Sequence, residues 1–369
     1  MRTKMKNKMT KCTGKLWMIA AIAAMTFASC STEEIMDTPE ATSEELALNF
    51  SSYVGNPTLR ASEMSQNSLK STGFNVIAWK TEAANWDAAS HATTPDFMPV
   101  GSTKGVAVLW GSDRWSYTPV KYWPGKYNAT DYGKVSFFGY SPVSAVTSLE
   151  TPEDANPKLT VTIPNANADQ KDLVADMLPN QAYNTSYGRV NFAFDHLLSK
   201  IHFAAKLAYD YGDNVEVNLT KLSITYVENQ IKNTGTYTFT ETNTGTGLWS
   251  LGTTYMSGTD VIFTAGEGAG PELSHTPYPP LEFTEIYNLI LLPQAAPASG
   301  MTASLSYTVT TDGATIPYSV FVGLPAITWL PGKQYTYIFN LSLNSVEFDT
   351  EITVGGWTDA GSPGEVSVP

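Results

Sequence analysis

From Leu46 to Val354 the apolar residues recur in short period-two runs, and no stretch of roughly 10–15 residues between them carries a helical period. Successive side chains of an extended chain point to opposite faces. Each run is therefore a strand with one buried face, and many such strands without intervening helices make an all-β protein of antiparallel sandwiches. Leu159, Val161 and Ile163 alternate before Pro164, and Phe74 to Trp79 is a further strand. Lys134 to Tyr140 is apolar on both faces, which marks a central strand. Val190, Phe192 and Phe194 open a second set, continued by Ile201, Phe203 and Leu207. Later strands are Tyr237 to Phe239, Ile286 to Leu292, Leu305 to Val309, Tyr335 to Leu343 and Val346 to Val354.

Two stretches need more than alternation. Val215, Val217 and Leu219 share one parity, while Leu222, Ile224 and Tyr226 share the other. One continuous strand can bury both sets only through a bulge or bend. Asp169 to Met177 is too short to separate helix from strand, and both readings stay open. Pro179 to Gly188 is polar and rich in Tyr and Asn, as a crossing between two domains would be.

The leading strand has its own context. Leu46, Leu48, Phe50 and Val54 fall on one face, with Ala47, Asn49, Ser51 and Tyr53 on the other. Gly55-Asn56-Pro57 stops pairing, and a polar loop follows whose Arg60 is the only basic residue between Cys30 and Lys70. Upstream, residues 1–15 are basic and Leu16 to Ala28 is a 13-residue apolar run. That is shorter than the ~20 residues a spanning helix needs and fits the core of a secretory signal. A buried N-terminal helix, the alternative, would leave the basic flank without a role.

The formal charge is −13; beyond residue 29 the chain holds 16 basic against 35 acidic residues, a net of −19. Such a field repels phosphate backbones, so nucleic acid is not an expected partner. The two cysteines are Cys12, inside the signal, and Cys30. A mature chain keeping Cys30 alone has no internal disulfide and no cysteine metal cluster. Phe27-Ala28-Ser29-Cys30 resembles a bacterial lipoprotein lipobox, which implies cleavage before Cys30 and acylation there. Several acyl chains give stable anchoring. The acidic residues 30–45 form a tether; they also resemble a surface-export signal of Bacteroidetes-type lipoproteins, and a plain linker is the other reading.

Chemistry-bearing patterns are sparse. His91, His196, His202 and His275 have no carboxylate at metal-ligand spacing. No nucleophile elbow, Gly-rich phosphate loop or His-Glu-x-x-His occurs. Asp210, Asp213 and Asn214 lack the remaining ligands of a calcium loop and read as a turn. No catalytic residue, metal or cofactor is expected.

Several motifs, in order, carry a family likeness. They are Leu48-Asn49-Phe50-Ser51, Trp115-Ser116-Tyr117, Lys121-Tyr122-Trp123-Pro124 and Val135 to Pro142. Gln170 to Leu173, Phe194 to Ile201, Trp329 to Tyr337 and Trp357 complete the set. With these the chain resembles the fimbrillin family of Bacteroidales, the subunits of type V pili. The resemblance implies two transthyretin-like sandwiches, at residues 46–187 and 188–369, behind a signal at 1–29 and a tether at 30–45. It also implies export as an outer-membrane lipoprotein and cleavage between Arg60 and Ala61 by an arginine-specific protease. Other pilin subunits would then be joined by strand exchange. The leading strand would be the one displaced. The donor would be Val346, Phe348, Ile352 and Val354, or residues 358–369 with Val366 and Val368; alternatively Val346 to Val354 is simply the last core strand. A tip adhesin, or a monomeric lipoprotein that binds a surface receptor or glycan through Trp79, Trp86, Trp110, Trp115 and Trp123, is the rival reading.

Overall fold

The computed structural model describes residues 47–54, 64–82, 85–86, 91–124, 133–153, 155–186, 188–242, 248–265, 270, 272–274, 281–282, 288–343, 346–348 and 352–357. Residues 1–29, the tether with Cys30, Leu46, the Arg60–Ala61 bond and residues 358–369 lie outside them. The described residues all fall within one unit, Ala41–Pro369.

The chain begins with β1 (Asn49–Val54), α1 (Gln66–Thr72), β2 (Phe74–Glu82), β3 (Val106–Trp110), β4 (Trp115–Ser116) and β5 (Lys134–Ser141). Next come β6 (Val146–Glu150), β7 (Lys158–Thr162), β8 (Val174–Gln181), the one-turn α2 (Tyr183–Ser186) and β9 (Arg189–His196). β10 (Ser199–Leu207), β11 (Val215–Tyr226), β12 (Thr234–Thr238), β13 (Trp249–Leu251), β14 (Gly258–Thr264), β15 (Leu281–Glu282) and β16 (Leu289–Leu291) follow. The last are β17 (Ala295–Ala296), β18 (Met301–Thr311), β19 (Ala314–Gly323), β20 (Ile327–Thr328), β21 (Lys333–Leu341), β22 (Val346–Phe348) and β23 (Thr353–Gly356).

A seven-stranded sheet runs β1-β9-β8-β5-β2-β3-β4, with β5 in the middle as its two apolar faces require. Its two faces serve different cores. Phe74, Val76, Phe137, Phe192 and Phe194 point into one cluster, and Ile77, Trp79, Phe138 and Tyr140 into the other. The second, larger cluster also takes Leu159, Val161 and Tyr237 from the sheet β13-β12-β7-β6. It continues between β10 and β21 on one side and the sheet β14-β11-β18-β19 on the other, through Phe203, Tyr337, Leu219 and Tyr307. The protein is thus all-β, built of sandwiched sheets.

The parity switch in β11 is met by a bulge. Leu219 opposes Tyr307 on β18 and Lys221 opposes Ser306, so Thr220 is passed over. Val217 and Leu219 before it, and Leu222, Ile224 and Tyr226 after it, are all buried.

Other expectations are revised. Pairing is not wholly antiparallel: β1 with β9 and β10 with β21 are parallel, each pair joined by a long excursion of chain. β9 belongs with the strands before it, since it pairs with β1 and β8, and does not head a second set. Asp169 to Met177 divides into a 3-10 turn at Asn167–Asp169 and the start of β8. Val346 to Val354 is not one strand. Three steps along β21, from Thr336 to Phe339, face five between Phe348 and Thr353, so the run divides into β22 and β23, both antiparallel to β21. Helix α1 had no apolar period to announce it: only Leu69 is buried, and a Ser65–Ser68 capping box starts it.

Candidate functional site

β1 is an edge strand held by two unlike seams. On one side it forms a parallel ladder of six pairs with β9, from Asn49 opposite Arg189 to Val54 opposite Phe194. The Asn49 N–H donates to the Gly188 carbonyl at 3.2 Å. In a parallel ladder alternate residues carry the bonds, so Asn49, Ser51 and Tyr53 face β9. Leu48, Phe50, Ser52 and Val54 therefore turn their backbone groups to the opposite side.

Among the described residues that second seam is thin. Leu48 N–H donates to the Lys121 carbonyl at 2.9 Å, and Ala47 forms an antiparallel bridge with Tyr122. Two side chains complete it: the Tyr117 hydroxyl donates to the Leu48 carbonyl at 2.9 Å, and Val54 N–H donates to Gln66 Oε1 at 3.1 Å. Burial raises the Tyr117 phenol above its ordinary pKa, so it stays a neutral donor.

The side chains of β1 fill a core. Leu48 is 1% exposed, Phe50 6% and Val54 0%, whereas Tyr53 on the outer face is 60% exposed. The Phe50 ring stands edge-on to Phe74, Tyr117 and Phe137 at 5.8, 5.2 and 6.2 Å, and lies over Phe192 at 6.0 Å and 16°. Gly139 of β5 makes room for Phe192, since a Cβ there would sit 2.9 Å from its ring. The Ser52 hydroxyl is buried and has no hydrogen-bond partner among the described residues. Burying Leu48, Phe50 and Val54 stabilises the fold by ~1.5–3 kcal/mol each before chain entropy is subtracted.

β9, to which β1 is joined, is itself lightly tied to the sheet. Its ladder with β8 is only Val174 with His196 and Ala175 with Asp195. Beyond that, the Asp176 carboxylate reaches over to accept the Ala193 N–H at 2.7 Å. Burial pushes this carboxyl up to about 6; the N–H groups of Ala193 and Met177 oppose the rise, and the charge of Asp195 adds to it.

Both flanks of the chain meet at the far end of β9. His196 Nδ1 pairs with Asp172 Oδ2 at 2.7 Å, and the same oxygen accepts the Met64 N–H at 2.8 Å. The Trp357 indole stacks on the His196 ring at 4.5 Å and 9°.

The candidate donor pieces rest on β21, and Ile352 is half-buried. The tryptophans do not lie together but meet in pairs, Trp79 with Trp86 at 5.3 Å and Trp110 with Trp115 at 5.1 Å, in two different clusters. Trp79 is buried in the larger core and Trp115 and Trp123 in the smaller one, while Trp86 stacks on His91 at 4.0 Å and Trp110 lies under Lys70. His202 pairs with Asn288 at 2.7 Å. Asp210 accepts the Gly212 N–H at 2.9 Å, an Asx turn. Among the described residues no three His, Cys, Asp or Glu side chains are grouped to hold a metal ion.

Tyr117, Gln66 and Asp176 are new to the site. Tyr117 lies in a motif visible in the sequence, but its partner Leu48 is 69 residues away, and no local pattern joins them.

Sandwiched sheets around an aromatic core, closed at one edge by β1, define an all-β sandwich protein. The chain belongs to the fimbrillin-like family, whose match covers residues 60–357. It is 23% identical to the fimbrium subunit Fim1C of Phocaeicola vulgatus, over 93% of this chain and 96% of that one. Its fold is similar to that of a fimbrial protein from Bacteroides vulgatus, with a TM-score of 0.65 and 22% identity over 85% of this chain and 99% of the other.

Proposed function

We propose that this protein is a structural subunit of a cell-surface fimbrium, delivered as an outer-membrane lipoprotein through Cys30. Arginine-specific cleavage behind Arg60 frees β1, and a neighbouring subunit's strand takes its place. Membership of the fimbrillin-like family and the likeness to Fim1C support the fimbrial role. The observation that carries the exchange step is the seating of β1: a full ladder on one side, one bridge and two side chains among the described residues on the other, and three buried apolar side chains. While covalently attached, β1 is held at high effective concentration; cleavage removes that advantage. Its departure would open a slot about 20 Å long, at ~3.3 Å per residue, lined with unpaired backbone and an emptied aromatic pocket. An extended segment of another subunit satisfies both needs. The contact joins unlike surfaces and so propagates a fibre.

Purified protein treated with an arginine-specific protease tests this on gels run without boiling. A ladder from the wild type and none from Arg60→Ala is expected. Polymer still carrying residues 46–60 covalently attached would refute the exchange.

A further inference from the structure

Resting on the reading that β1 leaves after cleavage behind Arg60, we infer that the Arg189–Val190 bond is a second site for the same arginine-specific protease, concealed for as long as a strand lies beside β9. Beyond residue 29 the chain holds three arginines, Arg60, Arg114 and Arg189. A protease of this kind seats the guanidinium in an acidic pocket and pairs with the flanking backbone as an extended strand. Arg189 has the first requirement already: it is exposed and makes no ion pair among the described residues. The second is blocked by β1. The ladder from Asn49 opposite Arg189 to Val54 opposite Phe194 occupies one edge of β9, and the Phe50 ring lies over Phe192.

The other edge of β9 gives this segment no support. β8 pairs with Asp195 and His196 only, and the Asp176 carboxylate adds a bond to the Ala193 N–H. Among the described residues Arg189–Phe192 therefore pairs with β1 alone. Once β1 has gone, that stretch is held by the buried side chains of Val190 and Phe192. A segment with neither edge paired opens locally at a fraction of the cost of global unfolding, and proteolysis follows the population of the open form. Arg114 is the contrast. Its guanidinium is held by Asp113 at 3.1 and 3.2 Å, and its carbonyl accepts the Gly111 N–H at 2.8 Å in a tight hairpin. Trp115 behind it is buried edge-on against Phe74, and none of these partners belongs to β1. Hydrolysis adds water across the Arg189–Val190 amide, leaves a carboxylate on Arg189 and an ammonium on Val190, and severs β9 from α2. A subunit with its slot filled persists; one left empty is cut into residues 61–189 and 190–369.

Limited digestion of the full-length protein with an arginine-specific protease, at a dilution that keeps it monomeric and with mass spectrometry of the products, tests this. The wild type should lose the residues before Ala61 first, and then yield one fragment ending at Arg189 and one beginning at Val190. Arg60→Ala, whose β1 stays tethered, should yield that pair roughly ten-fold more slowly. A synthetic peptide of residues 47–54, added in excess after the first cut, should slow the second several-fold, and the same peptide carrying Phe50→Ala should not. Arg189→Lys should abolish the pair and leave the first cut unchanged. Cleavage at Arg189 in Arg60→Ala at the wild-type rate, or survival of the bond in monomer that has lost the β1 peptide, would overturn the concealed site while leaving strand exchange intact. A β1 peptide that stays bound after the cut behind Arg60 would overturn both.

Discussion

The Tyr117 hydroxyl donates to the carbonyl of Leu48 at 2.9 Å, and at the same time accepts the Lys121 N–H at 3.2 Å, so one side chain ties the leading strand to the wall beside it. Tyr117→Phe keeps the ring against Phe50 and removes this tie, together with the acceptor of the Lys121 N–H. A neutral hydrogen bond of this kind contributes ~1 kcal/mol. After cleavage behind Arg60, the β1 peptide should leave the variant roughly five-fold faster, followed by chromatography of the released peptide. Equal release rates would show that the thin seam does not hold β1.

Phe50 sits among four aromatic rings, and truncation leaves a cavity that no neighbour can fill without abandoning its own packing. Phe50→Ala is expected to destabilise the uncleaved protein by ~3–5 kcal/mol in urea titration. Phe50→Leu, which retains most of the volume, should cost less than half of that. Equal losses for the two would mean that the pocket does not read shape.

Much of this arrangement was legible in the sequence, for definite reasons. Period-two burial is local, so the strands, the centrality of Lys134–Ser141 and the bulge at Thr220 follow from parity alone. Pairing direction is not local. Nothing in Asn49–Val54 or Arg189–His196 says that they lie parallel, because that depends on where the intervening chain has gone. For the same reason β9 looked like the start of a new set although it joins the first sheet. The slot's side chains divide along the same line. Leu48, Phe50 and Val54 are readable from alternation, whereas Gln66 and Tyr117 act through single polar atoms on distant segments. The tryptophans of the rival reading divide between two separate cores, a division that local spacing does not reveal.

Cys30 is the only cysteine that a mature chain would retain, so acylation has a single site to test. Cys30→Ala should abolish incorporation of labelled fatty acid and shift the protein from the membrane fraction to the soluble one. In the proposed lipoprotein several acyl chains, at ~0.8 kcal/mol per buried CH₂, would set the strength of the anchor, so that their loss would not be a graded effect. Undiminished labelling of the variant would exclude Cys30 as the lipid site.

The buried Asp176 carboxyl makes the join of β8 to β9 depend on pH. Its carboxyl, pushed up to about 6 by burial, binds a proton more tightly in the folded protein than in the unfolded chain, where the value is near 3.8. Its contribution to stability is therefore complete below pH ~4 and is lost as pH rises through ~6. Asp176→Asn removes the titrating group and keeps an amide oxygen to accept the Ala193 N–H. Two pK units correspond to ~3 kcal/mol, reduced by the weaker hydrogen bond to a neutral acceptor. The variant should accordingly be more stable than wild type by about 1–2 kcal/mol at pH 7, and the difference should vanish near pH 4. Urea titrations at the two pH values measure it. A constant offset between the proteins would mean that the Asp176 charge does not weaken the β8–β9 join, and that the thin attachment of β9 has another origin.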